Sequence, residues 1–421
     1  MSQDNNRISG DIIYNYISVA VTAICGAVFS IIIGYYYDAA VLGRFNTIYA
    51  YYIVLSQFCV CGVHMAIVKY AAEEGQSGYG ISLLIKSISV CICSSLTVIG
   101  SGAIVTNLFL IHILSSSMIK SINTIWIALL FFSINKVFLG WLNGHLRMRA
   151  YACFQASRNL IIALSLLIFA INDLSGEILT YCFLTAELLL FVFELLFILV
   201  SADRKIVEKT TVSFRALIWF SLRILPSNAV LELNTKVDVI CLSFILNDER
   251  LIGIYTFAAM FGEGFYQLFV VIRKVINPKI TQHHVAHSLK DYIHKLTSKY
   301  MIWIYLGFSI TGTLLIGGFV VLVHLLGKNY YLSGINILCI LCIAMVLNSK
   351  SIIFGNILAQ TGHPFDESVL NIITTASNGL LNIILIIKFD MIGAALATGL
   401  SYFVYNFTQK YQVKRKLLIK L

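Results

Sequence analysis

Residues 214–246 read FRALIWFSLRILPSNAVLELNTKVDVICLSFIL. As one straight helix this stretch would run about 50 Å, well beyond the roughly 30 Å hydrocarbon core of a bilayer. It is apolar enough to cross that core, yet it holds Arg223, Glu232, Lys236 and Asp238. Pro226 removes a backbone hydrogen bond and collides with the preceding turn, so a kink is predicted there. Arg223, Ser227, Asn234 and Asp238 share one helical face, while Glu232 and Lys236 are spaced i,i+4 on another and can neutralise each other. Lys236 can also reach Asp238 if the backbone unwinds at the kink. A cation at bilayer depth costs about 2.5–3.5 kcal/mol even on insertion scales, so it faces a partner or a water-filled cavity.

The rest of the chain sets this segment among others like it. Of 421 residues, 59% are hydrophobic and 12% charged, and the mean hydropathy is +0.86. A soluble core of this size needs far less apolar surface. About twelve segments have the length of a span: 12–36, 45–70, 81–111, 118–141, 151–172, 177–201, 214–246, 254–278, 300–326, 334–360, 367–388 and 391–411. The expected fold class is an all-α integral membrane protein with about twelve transmembrane helices. The first apolar stretch is too long for a signal-peptide core and is expected to remain as an anchor.

The net charge of +10 is distributed unevenly. With the N-terminus placed inside, the inner side collects Arg7, Lys69, Lys86, Arg147, Arg149, Arg158, Arg204, Lys205, Lys209 and Arg215. It also collects Arg273, Lys274, Lys279, Lys290, Lys295, Lys299, Lys410, Lys414, Arg415, Lys416 and Lys420. The outer side receives Arg44, Lys120, Arg250, Lys328 and Lys388. This bias predicts that both termini are cytoplasmic. The basic residues flank spans and do not gather in one soluble domain, which argues against nucleic-acid binding. Most of the ten cysteines fall inside spans and read as small packing residues.

Two halves are visible. DAAVLGRFNTIYA at 38–50 resembles NDERLIGIYTFAA at 247–259, with Gly43 matching Gly253, Phe45 matching Tyr255, and Lys69 matching Lys279 at the same offset. The predicted division is a six-helix bundle over 1–201, a basic cytoplasmic linker over 202–213, and a second six-helix bundle over 214–421. Parallel repeats of this kind place substrate between them near the midplane. Residues 281–299 read as an amphipathic surface helix with Lys290, Lys295 and Lys299 toward lipid phosphates. His283 and His287 in that segment are spaced for one face and read as surface histidines rather than a metal site.

Four intramembrane cations are the candidate substrate-binding residues: Lys136, Arg223, Lys236 and Lys350. Lys136 has no acid within a turn, and Glu187 and Glu194 of the sixth span are its possible partners. Lys350 sits in NSKS and can also snorkel to the interface. Glu263, in Gly-Glu-Gly, is a candidate for a coupling proton or cation, or for an ion pair with one of the lysines. Asp238, Glu232 and Pro226 complete the coupling or structural set. In the first span Asn15, Ser18, Thr22 and Cys25 line one face as a cavity wall or as interhelical polar contacts. No phosphate-binding loop, catalytic constellation or cofactor motif is present, so an enzyme is not expected.

Residues 353–401, which run from IFGNILAQTGHP to NGLLNIILIIKFDMIGAALATGLS, resemble the closing segment of polysaccharide-unit flippases. The run from Pro226 through Lys236-Val-Asp238 to Gly253-Ile-Tyr255, and LGRF at 42–45, are similar to the same family within the multidrug, oligosaccharidyl-lipid and polysaccharide exporter superfamily. The resemblance implies a bacterial inner-membrane flippase for O-antigen or similar lipopolysaccharide repeat units. Its cargo would be an oligosaccharide on undecaprenyl diphosphate. A proton or sodium ion could drive it, and polysaccharide polymerase machinery could be a partner. The residues agree, since a dianionic headgroup calls for interior cations. Three of those four are lysines, which lack the bidentate fork of arginine. Two other classes stay open: a drug/cation antiporter of the same superfamily, and a non-transporting scaffold of polysaccharide assembly.

Overall fold

The computed structural model describes residues 2–74, 81–112, 115–201 and 211–419. Residues 202–210 of the expected linker, with Arg204, Lys205 and Lys209, lie outside them. The described chain is helical: α1 (Ser2–Tyr36), α2 (Ala39–Val60), α3 (Val63–Glu74), α4 (Ile81–Leu108), α5 (Ser116–Gly144), α6 (Met148–Ile171), α7 (Tyr181–Ser201) and α8 (Phe214–Ile245). There follow α9 (Glu249–Val285), α10 (Leu289–Lys299), α11 (Met301–Leu326), α12 (Ile335–Leu347), α13 (Ser349–Ile353), α14 (Ile357–Gln360) and α15 (Pro364–Leu417). Helices suit a bilayer because each satisfies its own backbone groups where no water can.

Among the described residues, ten helices are long and apolar enough to cross a membrane, and the bent pair α2–α3 makes eleven. The second limb of α15 completes the predicted set. At 54 residues α15 would run about 80 Å if straight, but its path breaks at Asp390, where φ is 49° and ψ is −133°. Asp tolerates positive φ better than bulkier residues because its short side chain bonds locally. The chain folds back there, between the predicted spans 367–388 and 391–411. Lys416 of the second limb pairs with Asp366 of the first at 3.0 Å. Gly393 packs onto the Leu385 carbonyl so closely that a Cβ has no room.

The sequence reading gave no bend within the second span, and it allowed unwound backbone near Pro226. The second span is not straight: it bends by 47° between α2 and α3, through Cys61 and Gly62 with φ of 52° and 75°. A Cβ on Gly62 would lie 2.5 Å from the Ser221 carbonyl oxygen of α8, so a bare backbone is needed for that approach. Conversely, α8 runs as one helix from Phe214 to Ile245 with Pro226 inside it. The expected kink does not interrupt the helix, so no unwound backbone joins Lys236 to Asp238. Before the proline, Gly62 lies close to the Ser221 carbonyl, and the Tyr70 hydroxyl donates to the Ala216 carbonyl at 3.4 Å. Membrane helices tolerate proline when neighbours support the freed backbone.

The helices gather into two compact units: residues 1–37 with 44–232, and residues 38–43 with 233–421. In the first, an apolar core forms around Trp141, Phe138, Val137 and Ile67, with Ile198 of α7. Asn159 of α6 donates to Thr22 of α1 at 3.3 Å, so the polar face of the first span makes an interhelical contact there. In the second, Phe257 stacks on Tyr331 at 4.3 Å and Phe269 on Phe308 at 3.7 Å. The short α10 buries Leu289 and Ile293 and exposes Lys290, Lys295 and Lys299. His283 is not paired with His287 on one face. Its ring stacks on Tyr292 and bonds Ser288 at 2.7 Å, while His287 occupies a turn at φ 55°.

The glycines matched between the halves meet inside the second unit. A Cβ on Gly43 would collide with the Glu249 carbonyl, and one on Gly253 with the Ala39 carbonyl. The two collisions are reciprocal, since Ala39 and Gly43 stand to each other as Glu249 and Gly253 do. Backbone atoms cannot step aside as side chains can. We therefore expect Gly43→Val and Gly253→Val each to destabilise by about 3 kcal/mol, the upper part of the overpacking range. Gly26→Val, which meets open space, should leave the thermal unfolding midpoint in detergent nearly unchanged.

Candidate functional site: an unpaired lysine and two hydrogen-bonded carboxylates

In the first unit, Glu187 of α7 is fully buried and collects donors from three other helices. Arg158 of α6 pairs with its Oε1 through Nε at 2.6 Å, Tyr52 of α2 donates to Oε1 at 2.8 Å, and Asn135 of α5 donates to Oε2 at 2.8 Å. The guanidinium also lies over the rings of Phe132 and Tyr52, at 4.6 and 5.6 Å. Charge-assisted bonds of this kind are what make a buried ion tolerable. The sequence reading counted Arg158 among the inner-surface charges, and the structure corrects this. Arg158 lies ten residues into α6, about 15 Å along the helix.

Lys136 lies one residue beyond Asn135 on α5. Its expected partners are taken or absent: Glu187 is bonded to Arg158, Tyr52 and Asn135, and Glu194 bonds to nothing among the described residues. Lys136 makes no ion pair among the described residues, and its ammonium stands 5.5 Å from the Phe132 ring centre. Arg158, Glu232 and Glu187 are the charges near enough to act on it. Arg158 contributes more than a structural pair, because its Nη2 has no hydrogen-bond partner among the described residues. Lys136 and Arg158 thus bracket one aromatic ring with unspent donor capacity, an arrangement suited to an anion.

The second unit repeats the device with another acid. Asp238 of α8 accepts from Tyr255 of α9 at 2.8 Å and from Thr398 of the second α15 limb at 2.6 Å. Asn382 and Asn378 of the first limb donate to its other oxygen at 2.9 and 3.4 Å. One carboxylate therefore joins α8, α9 and both limbs of the α15 hairpin. The sequence reading singled out Asp238 but missed its donors, which lie up to 160 residues away.

The remaining predicted residues are scattered. Arg223 is exposed, its guanidinium against the Trp219 ring, and it makes no ion pair among the described residues. Lys236 is ion-paired with Glu263 at 3.8 Å, and Glu263 is 67% exposed. Glu232 is half-buried on the last turn of α8 that belongs to the first unit. Lys350 lies in the short α13 within electrostatic reach of Lys410. Pro226 is an exposed interior residue of α8.

An all-helical chain with ten or eleven helices able to cross a membrane, organised around an ion-paired buried Glu187 and a multiply hydrogen-bonded Asp238, defines a multi-span membrane architecture. Comparisons with known proteins agree. The model of the family described as "Polysaccharide biosynthesis protein" matches residues 9–284, and the chain belongs to that family. Among solved structures, it is similar to the lipid II flippase MurJ in an inward closed conformation, with TM-score 0.75 at 18% identity, covering 96% of this chain and 87% of that one. It is similar to an inward-facing multidrug resistance MATE transporter of the MOP superfamily, with TM-score 0.74 at 13% identity, covering 97% and 98%. It is also similar to a MOP superfamily transporter from Pyrococcus furiosus whose binding pocket has reverse polarity, with TM-score 0.63 at 13% identity, covering 96% and 94%. At these identities the likeness establishes the fold. Comparison with curated proteins found no match.

Removing one partner of a buried ion pair leaves the other charge uncompensated. Glu187→Ala should destabilise the protein by about 3–5 kcal/mol, and the double replacement with Arg158→Leu by clearly less. Asp238→Ala should likewise lower the unfolding midpoint, with Asp238→Asn intermediate. Thermal unfolding of purified variants in one detergent measures all four.

Proposed function

We propose that this protein moves a lipid-linked oligosaccharide with a diphosphate headgroup across the membrane by alternating access. The observation that carries this reading is Lys136, an intramembrane cation with no ion-pair partner among the described residues, beside the unsatisfied Nη2 of Arg158. A cation kept at that depth without a carboxylate is best explained by an anionic ligand that completes it. Membership of a polysaccharide biosynthesis family and a fold shared with a lipid II flippase support the same cargo class.

On this reading the two predicted six-helix bundles rock about a central substrate path, and the lipid tail stays in the bilayer. Lys136 and the free Nη2 of Arg158 hold the diphosphate, and Arg223, exposed on α8, is a further cation for the same anionic cargo. Lys236 is reached only if substrate displaces Glu263, and Lys350 serves at the inner mouth. Asp238 acts as the clamp that lets α8, α9 and α15 move as one body. Both termini are cytoplasmic in a bacterial inner membrane, and undecaprenyl diphosphate with an O-antigen-type repeat unit is the expected cargo. The exposed carboxylate of Glu263 favours a second reading, export of a cationic drug, since an anionic wall would attract one.

Complementation of a strain lacking its repeat-unit flippase, with expression matched, separates these readings. The parent chain should restore surface polysaccharide. Lys136→Ala should reduce it by about tenfold to a hundredfold, the worth of one charged hydrogen bond, while Lys136→Arg retains much of the activity. Resistance to cationic dyes conferred by the parent and lost in Glu263→Gln would instead favour drug export.

A further inference from the structure

Helix α7 carries two acids, Glu187 and Glu194, seven residues and therefore about two turns apart on one face. They have opposite surroundings. Glu187 is bonded by an arginine, a tyrosine and an asparagine. Glu194 is 1% exposed, and neither of its carboxyl oxygens has a hydrogen-bond partner among the described residues. Its neighbours on the same face, Phe191 and Ile198, belong to the apolar core of Phe138 and Trp141. By the helical rise Glu194 lies about 20 Å from the start of α7 and about 10 Å from its end, within the hydrocarbon layer.

The charged groups on the helices packed against α7 do not reach it. On α6, Arg158 is committed to Glu187, Arg147 at the N-cap lies over the Trp141 and Phe197 rings, and Tyr151 is half-buried without a bond to Glu194. On α5, Lys136 lies over Phe132, and the C-capping His145 places its Nδ1 on the Trp141 carbonyl. The charge that acts on Glu194 is Glu187, which is of like sign. An ionised carboxylate with no cation and no donor among the described residues is far more costly to bury than a neutral acid. Leucine, which fills three neighbouring positions of α7, would incur neither cost. A carboxyl group retained there has a use for its proton.

We propose that Glu194 is a proton-binding site of the first unit: it holds a proton in the conformation described here and releases it when the α5–α6–α7 packing opens to water. The step is a simple ionisation, with the O–H bond broken and the proton passed to water. Glu187 is unsuited to the task because Arg158, Tyr52 and Asn135 already occupy its oxygens, and Glu263 because it is exposed and already paired with Lys236. The release half of the proposal rests on the transport reading above, and the occupancy half does not.

Infrared spectroscopy of the purified parent and of Glu194→Gln decides occupancy. Gln has the shape of the neutral acid and should preserve folding, which the unfolding midpoint checks. A carboxylic-acid C=O band that shifts in heavy water should be present in the parent and missing from Glu194→Gln, while Glu187→Gln retains it. A parent-minus-variant spectrum without such a band overturns the site. Transport of a lipid-linked oligosaccharide in proteoliposomes, across a series of pH values, then decides release. A pH-dependent parent and a pH-independent Glu194→Gln support it. A variant with the parent's pH profile overturns release while leaving occupancy standing. A parent that moves no lipid-linked substrate refutes the transport reading and the release half with it, and the infrared result still decides the proton site.

Discussion

A bilayer offers polar groups no water, so each buried ion must be satisfied by the protein itself. That constraint organises this fold around Glu187 and Asp238. Each is a carboxylate set deep in a unit, and each gathers donors from several helices: α2, α5 and α6 onto α7 for Glu187, and α9 with both limbs of α15 onto α8 for Asp238. Apolar packing alone distinguishes poorly among helix arrangements in lipid, because lipid tails are as apolar as leucine. An acid that accepts at fixed distances specifies which helices meet and at what height. The helices around each carboxylate are thereby held as a body.

Backbone features complete what the carboxylates begin. The bend at Cys61–Gly62 seats α3 against α5 by letting the chain pass close to the Ser221 carbonyl. The reversal at Asp390 turns one 54-residue helix into two limbs, and it places Asn378, Asn382 and Thr398 around the same acid. Gly43 and Gly253, equivalent positions of the two halves, allow reciprocal backbone contact between the starts of α2 and α9. Each feature depends on a residue that tolerates positive φ or lacks a side chain, so the architecture is sensitive to small substitutions at few places.

The interior ions divide by their partners. Arg158 and Lys236 have acids, Glu187 and Glu263, while Lys136 makes no ion pair and Glu194 makes no bond at all among the described residues. Satisfied ions contribute to holding helices together. Unsatisfied ones lower stability in the resting state, which is tolerable where a ligand or a proton restores the balance. The functional proposals rest on this distinction, which is one of geometry and cannot be read from residue type.

The run of apolar segments determined the helical membrane fold and the span boundaries, including the division near Asp390 within α15, because span length and hydropathy are local properties of the chain. Repeat spacing likewise singled out Gly43 and Gly253 before their contact was known. Local chemistry was less dependable around Pro226: unwound backbone there would have let Lys236 reach Asp238, but α8 runs as one helix through the proline. Arg158 was legible as an intramembrane cation from its place within the span 151–172, yet its basic neighbours Arg147 and Arg149 drew it into the surface count. Tertiary structure alone decided which acid each cation meets. Those pairings join positions 27 and 29 residues apart at Lys236–Glu263 and Arg158–Glu187, and the neutral donors to Asp238 lie up to 160 residues from it. A distance of that kind is fixed by helix packing and leaves no periodic trace in the sequence.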